Sequence, residues 1–374
     1  MNILFLNSVP THVFGGIEHW TGMVARGLAE RGHRITIIGR EGSEYIRRNR
    51  DVHPELDIRE LTISGDFNPV TIAAIKRVIR EKQIEVVIAN FNKDIRLGGL
   101  AAALEGDVKV IWRAGLNQTK DNWVHRTLTP RLLDGVITPS HRLKEQIVGS
   151  GYIPEEIVKV IHTGIPSLPD PPDRSEAHRA LCVKYDLPEN SLIAVTSGRF
   201  VDQKGHIHLV NAARAIADRV PSVRFLWLGN GPLEAMLVAR MIELGVRDLF
   251  VLAGLLDEFT LELFGADVML HPSIEEPFGI VLLEGMRAGL PIIASRVGGI
   301  PEVVAEGETA LLVEPTNPEA LAEATIAVLL DHDHRTALGK AGTVRWQQQF
   351  SYDAMLNELE RHLRAVLSGK AGVQ

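Results

Sequence analysis

The sequence predicts an α/β protein made of two Rossmann-like, doubly wound domains facing across a cleft. Three observations predict it. Strand-length apolar runs alternate with helical patterns along the 374 residues, the pattern of strands buried on both faces of a parallel sheet. Glycine-bearing loops follow several of these runs, where open α/β sheets place their ligands. A proline-rich stretch, I-P-S-L-P-D-P-P-D-R at 165–174, divides the alternation and is expected to begin an interdomain linker, 165–190.

The first apolar run is Asn2 to Asn7. The loop S-V-P-T-H-V-F-G-G-I-E-H-W follows, then a helix to Arg31 closed by Gly32, and a second strand from His33 to Gly39. The loop lacks G-x-G-x-x-G, which argues against a dinucleotide site. Gly15-Gly16 would let the backbone approach a ligand closely, or simply make a flexible turn. Further strands are expected at 58–62, 84–89, 108–112, 135–138 and 158–161, completing a first domain over 1–164. The second series, 191–345, begins with L-I-A-V-T, which ends in S-G-R-F-V-D-Q-K-G-H. V-R-F-L-W-L then ends in G-N-G-P, and Asp248 to Ala253 ends in Gly254. Val268 to Leu270 and Pro291 to Ser295 are the remaining expected strands.

Composition narrows the function classes. Hydrophobic residues make up 45%, and no apolar run is long enough to span a bilayer. The first strand lacks the features of a signal peptide. The single cysteine, Cys182, allows no internal disulfide, makes a cysteine metal site unsuitable and fits a cytoplasmic address. Residues 1–164 carry 22 Lys and Arg against 19 Asp and Glu, a balance of +3, whereas the remainder has 18 against 28, a balance of −10. The chain as a whole is no nucleic-acid binder, but its first half could favour an anionic partner. Arg47, Arg48, Arg50 and a basic amphipathic segment from Ala73 to Lys82 offer either a membrane-facing surface or ordinary solvated cations.

Residues 271–289, H-P-S-I-E-E-P-F-G-I-V-L-L-E-G-M-R-A-G, carry the strongest chemical pattern. A loop ending at Pro277-Phe278-Gly279 should lead into a helix from Ile280 to about Ala288, stopped by Gly289 and Pro291. The Gly279 and Ile280 amides at its start suit a phosphate. Glu284, one turn on, and Glu276, ahead of the helix, would repel a phosphate but can accept hydrogen bonds from sugar hydroxyls. A nucleotide sugar meets both conditions. Arg199 and Lys204, just past a strand end, could clasp a pyrophosphate and stabilise its charge on departure. Each feature alone is compatible with ordinary surface residues; together they favour a site.

These residues match a known pattern. The chain resembles the large fourth family of retaining glycosyltransferases with the GT-B fold over nearly its whole length. The matching elements are Gly15-Gly16-Ile17-Glu18, Arg199-x4-Lys204, Gly229-Asn230-Gly231-Pro232, E-P-F-G-I-V-L-L-E, Gly298-Gly299 with Glu302, and the terminal F-S-Y-D with its helix. The resemblance implies that Arg199 and Lys204 hold the donor pyrophosphate with the Gly279 and Ile280 amides. It implies that Glu284 binds the ribose and Glu276 the transferred sugar, with Arg199, Lys204 and Glu276 catalytic. Gly15 and Gly16 would face the donor phosphate and acceptor, and Gly229, Leu252 and Phe278 would complete the donor site. Residues 346–374 would form a helix crossing back to the first domain. One position departs: relatives carry a histidine near the end of the strand written here V-K-V-I-W-R. Either the correspondence shifts by a few residues, or Arg113 replaces the imidazole and, with Glu18, meets an anionic acceptor.

The implied activity is metal-independent transfer from a nucleotide-diphosphate sugar, with no cofactor beyond that donor. The acceptor would be a glycan or glycolipid of lipopolysaccharide or another cell-envelope polysaccharide. Peripheral contact with the inner membrane through the first domain is a further expectation. The rival readings are a catalytically silent nucleotide-sugar-binding protein and a sugar-nucleotide epimerase of the same fold. The only D-x-D string, Asp331-His332-Asp333, lies between late helices, away from the glycine loops.

Overall fold

The computed structural model describes residues 1–12, 14–256 and 258–369. They form two compact units: residues 1–163 together with the chain from Asp353, and Gly164–Tyr352.

The first unit is built on seven strands: β1 (Asn2–Asn7), β2 (Arg34–Arg40), β3 (Asp57–Leu61), β4 (Val86–Ala89), β5 (Lys109–Arg113), β6 (Gly135–Thr138) and β7 (Val158–Val160). All pair in parallel, in the order β3-β2-β1-β4-β5-β6-β7. Ile3 to Leu6 are fully buried because β1 has a neighbour on each edge and helices on each face. The strand order reverses between β1 and β4, so the loops at their carboxyl ends open a crevice there. The Gly16–Glu30 helix buries Ile17, Trp20, Val24 and Leu28, spaced by three or four residues along one face. The Tyr352–Leu367 helix buries Met355, Leu356, Leu359, Leu363 and Val366 in this unit. Arg31 is bonded to its Asp353 and Glu360, and His33 to Glu360.

The basic segments carry their own counter-ions. Arg47 pairs with Glu44 and Asp51, Arg48 with Glu44, and Arg50 with Glu60. On the Pro69–Lys82 helix, Arg80 pairs with Glu105 and Lys82 with Asp57. The positive balance of this half therefore does not appear as a bare cationic face at these arginines.

The second unit holds β8 (Leu192–Ser197), β9 (Val223–Leu228), β10 (Phe250–Gly254), β11 (Val268–His271), β12 (Ile292–Ser295) and β13 (Ala310–Val313), all parallel, in the order β10-β9-β8-β11-β12-β13. Its core includes Phe225 stacked on Phe250 at 4.7 Å and Trp227 edge-on to Phe250 at 5.0 Å. β13 was not among the expected strands: it is a four-residue edge strand whose A-L-L-V is too short to separate from a helix start. The segment 165–190 is also more than a linker. It contains a helix, Arg174–Lys184, capped by Asp173, whose carboxylate accepts from the Ser175 and Glu176 amides. Ala177, Leu181 and Cys182 on that helix are buried within the second unit. Among the described residues no helix is long and apolar enough to cross a membrane.

Candidate active site

In the second unit the strand order reverses between β8 and β11, so a crevice is expected at their carboxyl ends. β8 runs into Gly198 and Arg199, then a short turn, Asp202–Lys204. β11 ends at His271 and runs into Ser273 and Glu276. The Lys204 stem lies over Gly198, 3.7 Å from where a Cβ would stand. Its Nζ donates to Glu276 Oε2 at 2.5 Å. His271 Nε2 donates to the same oxygen at 2.8 Å, and Ser273 Oγ lies 3.0 Å from that nitrogen.

Glu276 is buried, which by itself would push its carboxyl upward. The Lys204 ammonium and the His271 hydrogen bond more than offset that, holding it at about 2. It is therefore a fixed, desolvated carboxylate, which persists only because it is paired. Its backbone is fixed as well. Gly299 N donates to the Glu276 carbonyl at 2.9 Å, and a Cβ on Gly298, at φ 54°, would stand 1.9 Å from that oxygen. The Gly298-Gly299 pair thus forms the bed on which the Glu276 loop lies.

The helix predicted after this loop is present as Ile280–Arg287, with Gly279 at its N-cap in the left-handed region, φ 93°. Glu276 Cγ is 3.4 Å from the position a Gly279 Cβ would take, so carboxylate and helix start are neighbours. Glu284 is half-buried one turn along, and its side chain has no hydrogen-bond partner among the described residues. Burial raises its carboxyl to about 7, with Arg287 pulling it down and Glu258 pushing it up. Phe278 is buried with its ring edge-on to Phe350 at 6.1 Å, a packing contact.

The structure therefore brings together Lys204, Glu276, Gly279 and Ile280, with Glu284 on the same helix. Arg199 is exposed, and its side chain has no hydrogen-bond partner among the described residues. Gly229 N donates to the Gly254 carbonyl at 2.7 Å and ties the ends of β9 and β10. Leu252 is partly buried on β10 against the core. Sequence reasoning missed His271 and Ser273, although H-P-S stands at the head of the motif-bearing stretch. It also missed His206. That ring is buried 4.9 Å from both Phe200 and Trp227, has no hydrogen-bond partner on either nitrogen among the described residues, and is pushed down to about 3 by burial. A separate surface recess of about 490 Å³, lined by Arg174, His178, Glu189 and Asp267, contains none of these groups. Asp331 of the D-x-D string caps the His332–Gln349 helix through the His334 amide.

In the first unit, Gly15 is the N-cap of the Gly16–Glu30 helix, and Gly16 is its first residue. Glu18 Oε2 accepts from Gly15 N and Oε1 from Asn7 Nδ2, each at 3.0 Å. Both carboxylate oxygens thus hold the glycine turn against the end of β1. Burial raises the Glu18 carboxyl, partly countered by those hydrogen bonds. Arg113, at the end of β5, is buried with its guanidinium carbon 4.4 Å from the Trp20 ring centre.

Known protein families match both units. Residues 14–167 match the family "Glycosyltransferase Family 4", and residues 180–345 match "Glycosyl transferases group 1". The GDP-mannose-dependent alpha-(1-6)-phosphatidylinositol monomannoside mannosyltransferase of Mycobacterium tuberculosis is 27% identical over 386 residues, spanning 97% of each chain. A lipopolysaccharide core biosynthesis glycosyltransferase of Rhizobium meliloti is 28% identical, spanning 91% of this chain and 93% of that one. The crystal structure of Anabaena HepE in complex with UDP and glucose superposes with a TM-score of 0.83 at 19% identity, covering 98% of this chain and 100% of that chain. The two family matches lie one on each sheet, both sheets have the doubly wound order, and the chain belongs to the family 4 glycosyltransferases of GT-B fold.

Proposed function

We propose that the protein is a retaining, metal-independent glycosyltransferase that moves a sugar from a nucleotide-diphosphate sugar to a glycan or glycolipid of the cell envelope. The observation that carries this reading is the Lys204–Glu276–His271 cluster beside the start of the Ile280–Arg287 helix. A diphosphate needs cations and backbone amides, and a sugar needs a fixed acceptor of hydroxyl hydrogen bonds. Both lie within one loop cluster. Arg199 and Lys204 supply the charge that a divalent cation would otherwise bring to the leaving group.

In the proposed reaction the bond from the sugar's anomeric carbon to the diphosphate oxygen breaks, and its electron pair leaves with the nucleoside diphosphate. The acceptor oxygen bonds to that carbon on the same face, and its proton passes to the departing phosphate. Glu276 orients the transferred sugar, Glu284 holds the ribose, and Gly15-Gly16 let the backbone approach the phosphate. Gly229 and Leu252 border the nucleotide. The envelope assignment draws on the mycobacterial and rhizobial relatives, whose names specify a phosphatidylinositol mannoside and a lipopolysaccharide core. A lipid-linked acceptor would place the enzyme at the cytoplasmic face of a membrane, with exposed Trp123 and Val70 of the first unit available to the interface.

The test is to incubate purified protein with UDP-, GDP- and ADP-sugars and envelope glycolipid extracts in EDTA. Nucleoside diphosphate release should accompany a product whose anomeric configuration by NMR is that of the donor. Release that needs added Mn²⁺, or an inverted product, would contradict the reading. A changed sugar still attached to its nucleotide would favour the epimerase.

A further inference from the structure

The proposed donor site lies at the carboxyl ends of β8 and β11. The recess of about 490 Å³ lies at their amino ends, roughly 20 Å away along the six-residue β8. Its size is that of an ordinary small-molecule site. The Arg174–Lys184 helix, the chain leading into β8 and the turn before β11 form its walls. Arg179 and Glu189 on these walls are exposed, and their side chains have no hydrogen-bond or ion-pair partner among the described residues. Ser191 is only 3% exposed, and its Oγ has no hydrogen-bond partner among them either. Asp267, by contrast, is answered. It accepts from the Ile193 amide at 2.8 Å, with Arg335 3.9 Å and His178 4.0 Å away. The recess thus offers an unused guanidinium together with an unused carboxylate and hydroxyl. The guanidinium suits a phosphate, and the carboxylate accepts from sugar hydroxyls.

The walls also hold the far ends of the elements that carry the donor site. Arg174 Nη2 donates at 2.7 Å to the Ala266 carbonyl, just ahead of β11, whose other end bears His271 and leads to Glu276. Arg174 Nη1 donates at 2.6 Å to the carbonyl of Ala288, the C-cap of the helix that starts at Ile280 and bears Glu284. Asp267 holds Ile193 of β8, which runs on to Arg199 and Lys204. Each Arg174 Nη keeps a second N–H for a ligand. A ligand on Arg174 therefore bears directly on bonds to β11 and to the Ile280–Arg287 helix. We propose that this recess binds a phosphorylated sugar, with its phosphate on Arg174 and Arg179 and its hydroxyls on Glu189 and Ser191, and that its occupancy changes the affinity of the donor site. The coupling rests on the glycosyl-transfer reading; the binding does not.

Calorimetric titration of the full chain decides it. The probes are glucose 6-phosphate, mannose 6-phosphate and glucose 1-phosphate, with glucose and inorganic phosphate as references. At least one hexose phosphate should bind wild type and Lys204→Ala equally well. It should bind Arg179→Met about tenfold more weakly, the size of a charge-assisted contact, with a smaller loss in Glu189→Gln that inorganic phosphate does not show. Both substitutions are on exposed side chains, so ligand-free Tm should match wild type. Saturating hexose phosphate should change the Kd of UDP or GDP about fivefold or more, and the nucleotide should change the hexose phosphate Kd by the same factor. The Ile280–Arg287 amides should exchange with deuterium at an altered rate when hexose phosphate is bound. No hexose phosphate binding to wild type would overturn the proposal. So would binding lost in Lys204→Ala but kept in Arg179→Met, which would place the ligand in the donor site. Inorganic phosphate binding as tightly as any hexose phosphate would remove the sugar from it, and nucleotide affinity that ignores hexose phosphate would remove the coupling. If neither nucleotide binds wild type, the glycosyl-transfer reading fails, while the hexose phosphate titration and amide exchange still decide the recess.

Discussion

Lys204 reaches Glu276 across the ends of two neighbouring strands, and the proposed diphosphate needs the same ammonium, so the two anions compete for it. Lys204→Ala should slow turnover about 10²–10³-fold, on the order of 2.7–4 kcal/mol, measured as nucleoside diphosphate release. Turnover within a few-fold of wild type would return Lys204 to a structural role. The two glutamates should separate kinetically. Glu276→Ala should chiefly lower kcat, because charge develops at the sugar ring, whereas Glu284→Ala should chiefly raise the donor KM. Their protonation differs too. The Glu276 carboxyl, held at about 2, stays charged through the working range. Its pairing contributes stability that is complete above the ordinary carboxylate pKa and is lost as pH falls towards 2. Glu284 is raised to about 7 by burial, so it takes up a proton as pH drops through neutrality and loses acceptor capacity for ribose hydroxyls. Donor KM should therefore rise below pH 7, and Glu284→Gln should flatten that slope; a slope that survives the substitution would remove Glu284 from the ribose.

At the scale of elements, the loops matter more than the helices they join. The Gly298 position tests this. Alanine there would meet the Glu276 carbonyl and adopt φ 54°, a conformation that alone costs about 1–3 kcal/mol. Gly298→Ala should lower Tm by several degrees and reduce kcat more than donor KM, because it displaces the loop bearing Glu276. An unchanged kcat would mean that the loop tolerates the shift. The helix from Ile280 was legible in sequence because glycine and proline punctuate it on both sides. The role of Gly298-Gly299 was legible only as a motif, since a close backbone approach leaves no periodic signal. His271 was hidden for a related reason: a histidine ending a buried strand looks the same whether it packs or binds a carboxylate. The helix Arg174–Lys184 was masked by the prolines ahead of it, although Asp173 with Glu176 is an ordinary helix-start pattern.

At the scale of the whole molecule, two sheets each supply a switch point, and the alternating apolar runs foretold both. The order of elements alone does not show that the last helix belongs to the first unit; the family resemblance implied it. Tyr352–Leu367 buries five apolar side chains there, each worth roughly 1.5–3 kcal/mol when fully buried. A chain ending at residue 351 should therefore lose the stability of the first unit while the second still unfolds cooperatively in urea. A single unperturbed transition would contradict that assignment. The second unit carries the proposed diphosphate site, and the most direct test of that claim is a thermal-shift panel of UDP, GDP and ADP with their sugars against wild type and Lys204→Ala. One base should raise the wild-type Tm in proportion to the logarithm of its concentration, as mass action requires, and Lys204→Ala should lose most of that shift. No shift with any base, or an equal shift in Lys204→Ala, would contradict it.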